Sequence, residues 1–193
     1  MKNLNICIDI DGTITDPYFW LDIANKYFNK KITIDKITEY EIDKVMGITR
    51  EEYDEFYNKN KLEMHSEEVN LRENVRKIIE ELIKINNIYF VTARDSDLKI
   101  ITYSLLKKNK IPYDDIFLLG SHHKVDMAKK LKCDIFIEDS YANALELSEN
   151  GFKVLLLDTN YNRKPLNKNI IKVSKWNEIY EIIKEIPLRR KAM

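Results

Sequence analysis

With 193 residues at 44% hydrophobic and 10% aromatic, the chain has the size of one domain, or of one core domain carrying a small insertion, and enough apolar material to bury a sizeable core. Disordered, collagen-like and low-complexity classes are excluded. Lys+Arg and Asp+Glu are both 32, so no net field favours a nucleic-acid polymer or an anionic membrane as partner.

Cys7 and Cys133 stand far apart without C-x-x-C spacing, which argues against a disulfide framework or a zinc site and favours a reduced, cytoplasmic setting. The opening MKNLNICIDIDG lacks an apolar leader followed by a small-residue cleavage site, and no apolar run approaches the roughly 18 residues needed to cross a bilayer.

In chain order, short β-branched bursts at Leu4 to Ile8, Ile88 to Val91, Ile116 to Leu119, Ile135 to Ile137 and Val154 to Leu157 predict strands buried on both faces of a parallel sheet. Helical stripes lie between them: Val75, Ile78, Ile79, Leu82 and Ile83; Leu98, Ile101, Leu105 and Leu106; Val125, Ala128 and Leu131; Ala142, Leu145 and Leu147. The fold class is α/β, a Rossmann-like, doubly wound parallel sheet. Residues 16–71 interrupt it. This stretch predicts a small helical subdomain, with a helix from Pro17 to Asn29 capped by Asp16, another from about Thr49 to Lys61, and its own apolar set of Phe19, Trp20, Ile23, Tyr27, Phe28 and Phe56. The expected division is a core of 1–15 plus 72–193 and an insertion of 16–71. The basic end Leu188-Arg189-Arg190-Lys191 reads as a disordered tail.

Alternation along the first strand puts Asp9 and Asp11 on one side at its carboxyl end, where a doubly wound sheet forms its ligand crevice. Thr92-Ala93-Arg94, Lys124 and Glu138-Asp139-Ser140 follow later strands at the same rim. Clustered carboxylates repel by roughly 4 kcal/mol per pair at about 4 Å and an effective dielectric near 20, so they recruit a cation or shift their pKa values. Oxygen donors without His or Cys select Mg²⁺ over zinc. Lys124, in the first turn of a helix, opposes the helix dipole, and an anion such as phosphate offsets that conflict. A calcium-binding loop is disfavoured, because Ile14 and Trp20 stand where it needs glycine and glutamate. A glycosyltransferase-like metal motif leaves Thr92, Lys124 and Asp139 without a role.

Asp9-Ile10-Asp11-Gly12-Thr13, Val91-Thr92-Ala93-Arg94, Lys124 and Ile137-Glu138-Asp139-Ser140, in that order, resemble the four motifs of the haloacid dehalogenase (HAD) superfamily of phosphohydrolases. The resemblance implies that Asp9 is the nucleophile, that Asp11 is the general acid and base, that Thr92, Ala93 and Lys124 bind phosphate, and that Mg²⁺ is held by Asp9, Asp11 through its backbone carbonyl, and Asp139, with Glu138 behind them. Residues 16–71 match the family's cap. Together with Ile37-Thr38-Glu39-Tyr40, the motifs are most similar to the cytosolic 5′(3′)-deoxyribonucleotidase group and its bacterial relatives. That implies a small phosphorylated metabolite as partner, a nucleoside monophosphate first. Alternatives are a sugar phosphate or other phosphometabolite and, in another class, a protein that binds phosphate without turnover. Phe19, Trp20 and Tyr40 read as core aromatics or base-stacking candidates. Arg94 reads as a substrate contact or a partner of an acid such as Asp95, and His65, His122 and His123 as exposed loop residues.

Overall fold

The computed structural model describes residues 3–186. The basic segment 188–191 lies outside the described residues. Six parallel strands, β1 (Asn5–Ile8), β2 (Asn87–Thr92), β3 (Asp115–Leu118), β4 (Ile135–Glu138), β5 (Lys153–Leu157) and β6 (Ile170–Val173), form one sheet in the order β3-β2-β1-β4-β5-β6. The order reverses beside β1, so the carboxyl end of β1 opens at the switch point where such sheets bind ligands.

Because side chains alternate along each strand, the sheet sorts them into two cores. Ile6, Ile8, Ile88, Phe90, Ile135, Ile137, Leu155 and Leu157 pack with α4 (Val75–Leu82), α5 (Lys99–Lys108) and α8 (Trp176–Lys184). Cys7, Val91, Phe136, Val154 and Leu156 pack on the other face with α6 (Val125–Lys130) and α7 (Tyr141–Glu149). Both faces are covered, which is why these strands read as continuous apolar runs. On α7 the buried apolar positions are Ala144 and Leu147, beside buried Asn143 and Ser148, whereas Ala142 faces out. The sequence reading omitted β6 and α8. Ser140 caps α7 by accepting from the Asn143 amide.

Residues 16–71 lie between β1 and β2 and hold α1 (Leu21–Tyr27), α2 (Ile42–Met46) and α3 (Arg50–Met64). Thr49 and Glu52 close a reciprocal capping box at the start of α3. The Asp16 cap is not formed: α1 begins at Leu21, and Asp16 Oδ1 instead accepts from the Tyr18 amide in the turn before it. Trp20, Leu21, Ala24, Ile37, Met46, Phe56 and Met64 bury a third cluster, joined by Tyr161 from the segment after β5. The strand of chain entering this region pairs with the one leaving it: Thr15 bridges Leu71, the Asp16 amide donates to the Asn70 carbonyl at 2.8 Å, and the Arg72 amide to that of Ile14 at 2.9 Å. Among the described residues no helix is long and apolar enough to cross a membrane.

Candidate active site

The chain turns sharply after β1. The amides of Thr13, Ile14 and Thr15 all point back to the Ile10 carbonyl at 2.9–3.2 Å, and Gly12 adopts φ +78°. A Cβ at position 12 would stand 2.4 Å from Asp139 Oδ2, so only glycine lets this loop approach β4 so closely. Behind the loop, the Trp176 indole of α8 donates to the Thr13 carbonyl at 3.1 Å and Arg72 Nε to the Gly12 carbonyl at 2.7 Å. Two separate segments, α8 and the chain at Arg72, therefore brace the β1 loop where it meets the end of β4.

Asp9, Glu138 and Asp139 each bring a carboxylate oxygen within 4.8 Å of the others, all three buried. One ammonium, Lys124 Nζ, meets two of them, at 2.5 Å from Asp9 Oδ1 and 2.6 Å from Glu138 Oε1. Glu138 is fully engaged: Oε1 also accepts from Asn143, and Oε2 from the amides of Asp139 and Ser140. It is thereby a rigid counter-charge for Lys124, leaving Asp9 and Asp139 as the carboxylates with spare lone pairs. Asp139 Oδ1 accepts from Thr13 Oγ1 at 2.9 Å and Oδ2 from Tyr161 OH at 2.5 Å. Asn162 Nδ2 donates to the Asp139 carbonyl at 2.7 Å.

The electrostatics are unbalanced. Burial works to lower the Lys124 ammonium, but Asp9 and Glu138 outweigh it and hold the pKa above the ordinary lysine value. Burial pushes Asp9 well up; Lys124 opposes this, and Glu138, Asp139 and Asp11 add to it. Asp139 is pushed up to about 7 by burial and then by Glu138, against the pull of Tyr161, Arg72 and Thr13. Three buried carboxylates around one ammonium, all hard oxygen donors, suit a divalent hard cation.

Asp11 points away from this cluster. Arg94 grips its carboxylate with two prongs, Nε to Oδ2 at 2.9 Å and Nη2 to Oδ1 at 2.7 Å, while Arg94 Nη1 donates to Thr102 Oγ1 at 3.0 Å. His65, from the end of α3, meets Oδ1 at 3.2 Å. Burial raises the Asp11 carboxyl, yet Arg94 and then His65 prevail and hold it far below the usual carboxylate range. Arg94 thus pairs with Asp11 rather than with Asp95. His65 is 5% exposed, so the expectation of an exposed loop histidine fails there, because the end of α3 folds down over the β1 loop. His123 is exposed and pairs with Glu146 and Asp126.

A cavity of about 480 Å³ opens over these groups. Asp9, Asp11, Thr92, Ala93, Lys124 and Asp139 line its floor, and Phe19, Tyr40, Tyr53 and Tyr57 line it from the 16–71 insertion. The structure therefore brings every sequence-selected site residue to one cavity. Trp20 reaches the wall but is 4% exposed within the third cluster, and His122 reaches it from the loop before Lys124, with Tyr40 edge-on at 6.1 Å. Sequence reasoning missed His65, Tyr161 and Arg72. None sits in a strand-end motif; only the proximity of Arg72 to the second crossing of the insertion hinted at a place near the loop.

A family model described as "5' nucleotidase, deoxy (Pyrimidine), cytosolic type C protein" matches residues 2–193. The chain is 58% identical over 183 residues to a nucleotidase of Clostridium acetobutylicum, covering 95% of each. Among solved structures, a haloacid dehalogenase-like family hydrolase from Streptococcus pneumoniae superposes with a TM-score of 0.70 at 17% identity, over 94% of this chain and 98% of that one. A HAD-superfamily hydrolase of subfamily IA from Geobacter sulfurreducens does so with a TM-score of 0.61 at 12% identity, over 94% and 96%. At those identities the two structures speak for the fold, while the family match spans nearly the whole sequence. The chain belongs to the cytosolic type C 5′-nucleotidase family, and it is a hydrolase built on the HAD fold.

Proposed function

We propose that the protein hydrolyses nucleoside 5′-monophosphates, deoxynucleotides among them, through a covalent phosphoryl-Asp9 intermediate. The observation that carries this reading is the convergence of Asp9, Lys124, Asp139 and the Thr92-Ala93 turn on the floor of one cavity large enough for a mononucleotide, in a chain of nucleotidase family.

In the first step an Asp9 carboxylate oxygen attacks phosphorus, the ester P–O bond breaks, and the Asp11 carboxyl gives its proton to the departing ribose oxygen. In the second step a water oxygen attacks the same phosphorus, Asp11 takes the proton from that water, and the Asp9–phosphorus bond breaks to release phosphate. Arg94 and His65 hold Asp11 ionised between turnovers, so the proton it donates arrives with the monoanionic phosphate ester and the proton taken from water leaves with the released phosphate. The Thr92 hydroxyl, the Ala93 backbone and Lys124 hold the phosphoryl oxygens as charge shifts among them. Lys124 is suited to this because Glu138 fixes its ammonium from the far side at 2.6 Å.

Mg²⁺ is the cofactor we assign, with Asp9, the Asp11 backbone carbonyl and Asp139 as the groups that hold it. When bound, it supplies Lewis-acid stabilisation of the phosphoryl oxygens and neutralises the carboxylate cluster. Residues 16–71 act as a cap that shields this chemistry from bulk water, and their aromatic side chains face the nucleoside. A cytoplasmic setting fits the two unpaired cysteines, Cys7 and Cys133, both buried.

The test is phosphate release from a panel of nucleoside monophosphates, deoxynucleotides and sugar phosphates, with Mg²⁺ or with EDTA. Selective release from nucleotides that EDTA abolishes supports the reading. Preferential release from sugar phosphates keeps the chemistry and rejects the substrate.

A further inference from the structure

His65 touches the carboxylate of Asp11, which stands outside the Asp9, Glu138 and Asp139 cluster, and it comes from the insertion rather than from the sheet. Its Nδ1 lies 3.2 Å from Asp11 Oδ1, its Nε2 3.2 Å from the Tyr57 hydroxyl, and its ring packs 5.6 Å from that of Phe19. An ionised carboxylate only accepts, so Nδ1 carries the hydrogen toward Asp11. In the neutral ring Nε2 then accepts from Tyr57 OH.

Each carboxylate oxygen offers about two lone-pair sites. Asp11 Oδ1 receives both Arg94 Nη2 and His65 Nδ1, which fills it, whereas Oδ2 receives Arg94 Nε alone. One acceptor position on Oδ2 is therefore left over by the described residues. Without His65, a position would open on Oδ1 as well, and the proton could sit on either oxygen.

We propose that His65 is a positioning residue for the hydrolytic reaction: by filling Asp11 Oδ1 it confines proton exchange with the leaving group to Oδ2, and because it rides on the 16–71 insertion it makes that alignment depend on the insertion being seated over the site. The inference rests on the reading of Asp11 as the group that protonates the ester oxygen. Tyr57 extends the same chain, since its hydroxyl fixes the ring orientation of His65.

The experiment compares kcat/KM for thymidine 5′-monophosphate, whose alkoxide leaving group requires a proton, with kcat/KM for p-nitrophenyl phosphate, whose phenolate does not. General-acid assistance is worth on the order of 10²–10⁴-fold. His65→Ala is expected to lose about 10- to 100-fold on the nucleotide and less than about threefold on the aryl ester, because misplacing the acid forfeits part of that factor. His65→Asn, whose amide nitrogen falls near the Nδ1 position, restores most of the nucleotide rate, and His65→Gln, whose amide falls near Nε2, does not. Tyr57→Phe gives a weaker loss of the same selectivity and serves if His65→Ala folds poorly. Equal losses on both esters, or equal behaviour of the Asn and Gln variants, would overturn the proposal in favour of a packing role. Asp11→Asn is measured alongside: if it shows ester selectivity and His65→Ala does not, the His65 proposal alone fails. If Asp11→Asn shows none, the role given to Asp11 falls, and this inference with it.

Discussion

Arg94 and Asp11, 83 residues apart in sequence, are joined by a two-pronged ion pair at 2.7 and 2.9 Å that fastens the loop after β1 to the loop after β2. Arg94 is 3% exposed and its guanidinium is braced from behind by Thr102, so the carboxylate is oriented by a group that is itself fixed. A lysine ammonium reaches one oxygen at a time and cannot reproduce the fork. Arg94→Lys should lose at least about tenfold in kcat/KM for nucleotides. Arg94→Met, which leaves Asp11 with His65 alone, should destabilise by about 3 kcal/mol, the low end of the range for a broken buried pair since Asp11 retains some exposure. Urea unfolding checks the second figure, and a Met variant as stable as wild type would show that the pair orients without stabilising.

Lys124 stands between two buried carboxylates, and removing it leaves both uncompensated. Lys124→Met should cost about 3–5 kcal/mol of stability in metal-free protein. Divalent cation should recover part of that loss, because it offsets the same charges. Thermal melts of the variant with and without Mg²⁺ measure this. A melt unaffected by the ion in both proteins would contradict the assignment of the carboxylate cluster as its site.

Asp139 gives the pH dependence a definite sign. Burial and then Glu138 raise it from an ordinary 3.8 to about 7, so the folded metal-free protein binds a proton more tightly than the unfolded chain. Its contribution therefore favours folding at low pH, and stability falls as pH rises from about 4 to about 7. A cation requires the carboxylate form, so its binding expels that proton. Asp9, the other carboxylate assigned to the ion, is also pushed up by burial, so Mg²⁺ affinity measured by calorimetry should rise with pH by about tenfold per unit or more through this range. Asp139→Asn should bind the ion weakly at every pH, with its fold intact by circular dichroism. A flat affinity profile in the wild type would remove Asp139 from the metal site.

Phe56 is fully buried in the insertion's own cluster, in contact with the rings of Tyr27 and Phe28 at 5.2 Å. Phe56→Ala should cost about 3–5 kcal/mol. Since that cluster is separate from the two cores on the sheet, the loss should be local, with amide exchange accelerated in residues 16–71 and little changed in β1, β2 and β4. Uniform acceleration across the chain would mean that insertion and sheet unfold together.

The sheet and the strand-end chemistry were legible because both depend on short local patterns. Buried parallel strands need apolar residues on both faces; Asp9, Thr92 and Asp139 sit at or just past the ends of such runs, and Lys124 stands at the start of α6 in the loop that follows β3. What escaped depends on contacts between distant segments. His65 reads as a polar residue after an exposed helix, and nothing local says that α3 ends over the β1 loop. Tyr161 sits in a turn after β5, where its meeting with Asp139 is fixed only by the lateral order of β4 and β5. The Asp16-Pro17 signal misled because the Asp16 side chain serves the turn at Tyr18, and α1 starts four residues after Pro17. β6 and α8 were passed over, although α8 supplies the indole that holds the Thr13 carbonyl.

The most direct test of the account is to mix the enzyme with a ³²P-labelled nucleoside monophosphate and Mg²⁺, quench in acid within milliseconds, and map the label retained on protein. The account predicts an acid-stable, hydroxylamine-sensitive acyl phosphate on the peptide containing Asp9, absent in Asp9→Asn. No label on wild-type protein during rapid turnover, or undiminished phosphate release by Asp9→Asn, would contradict it.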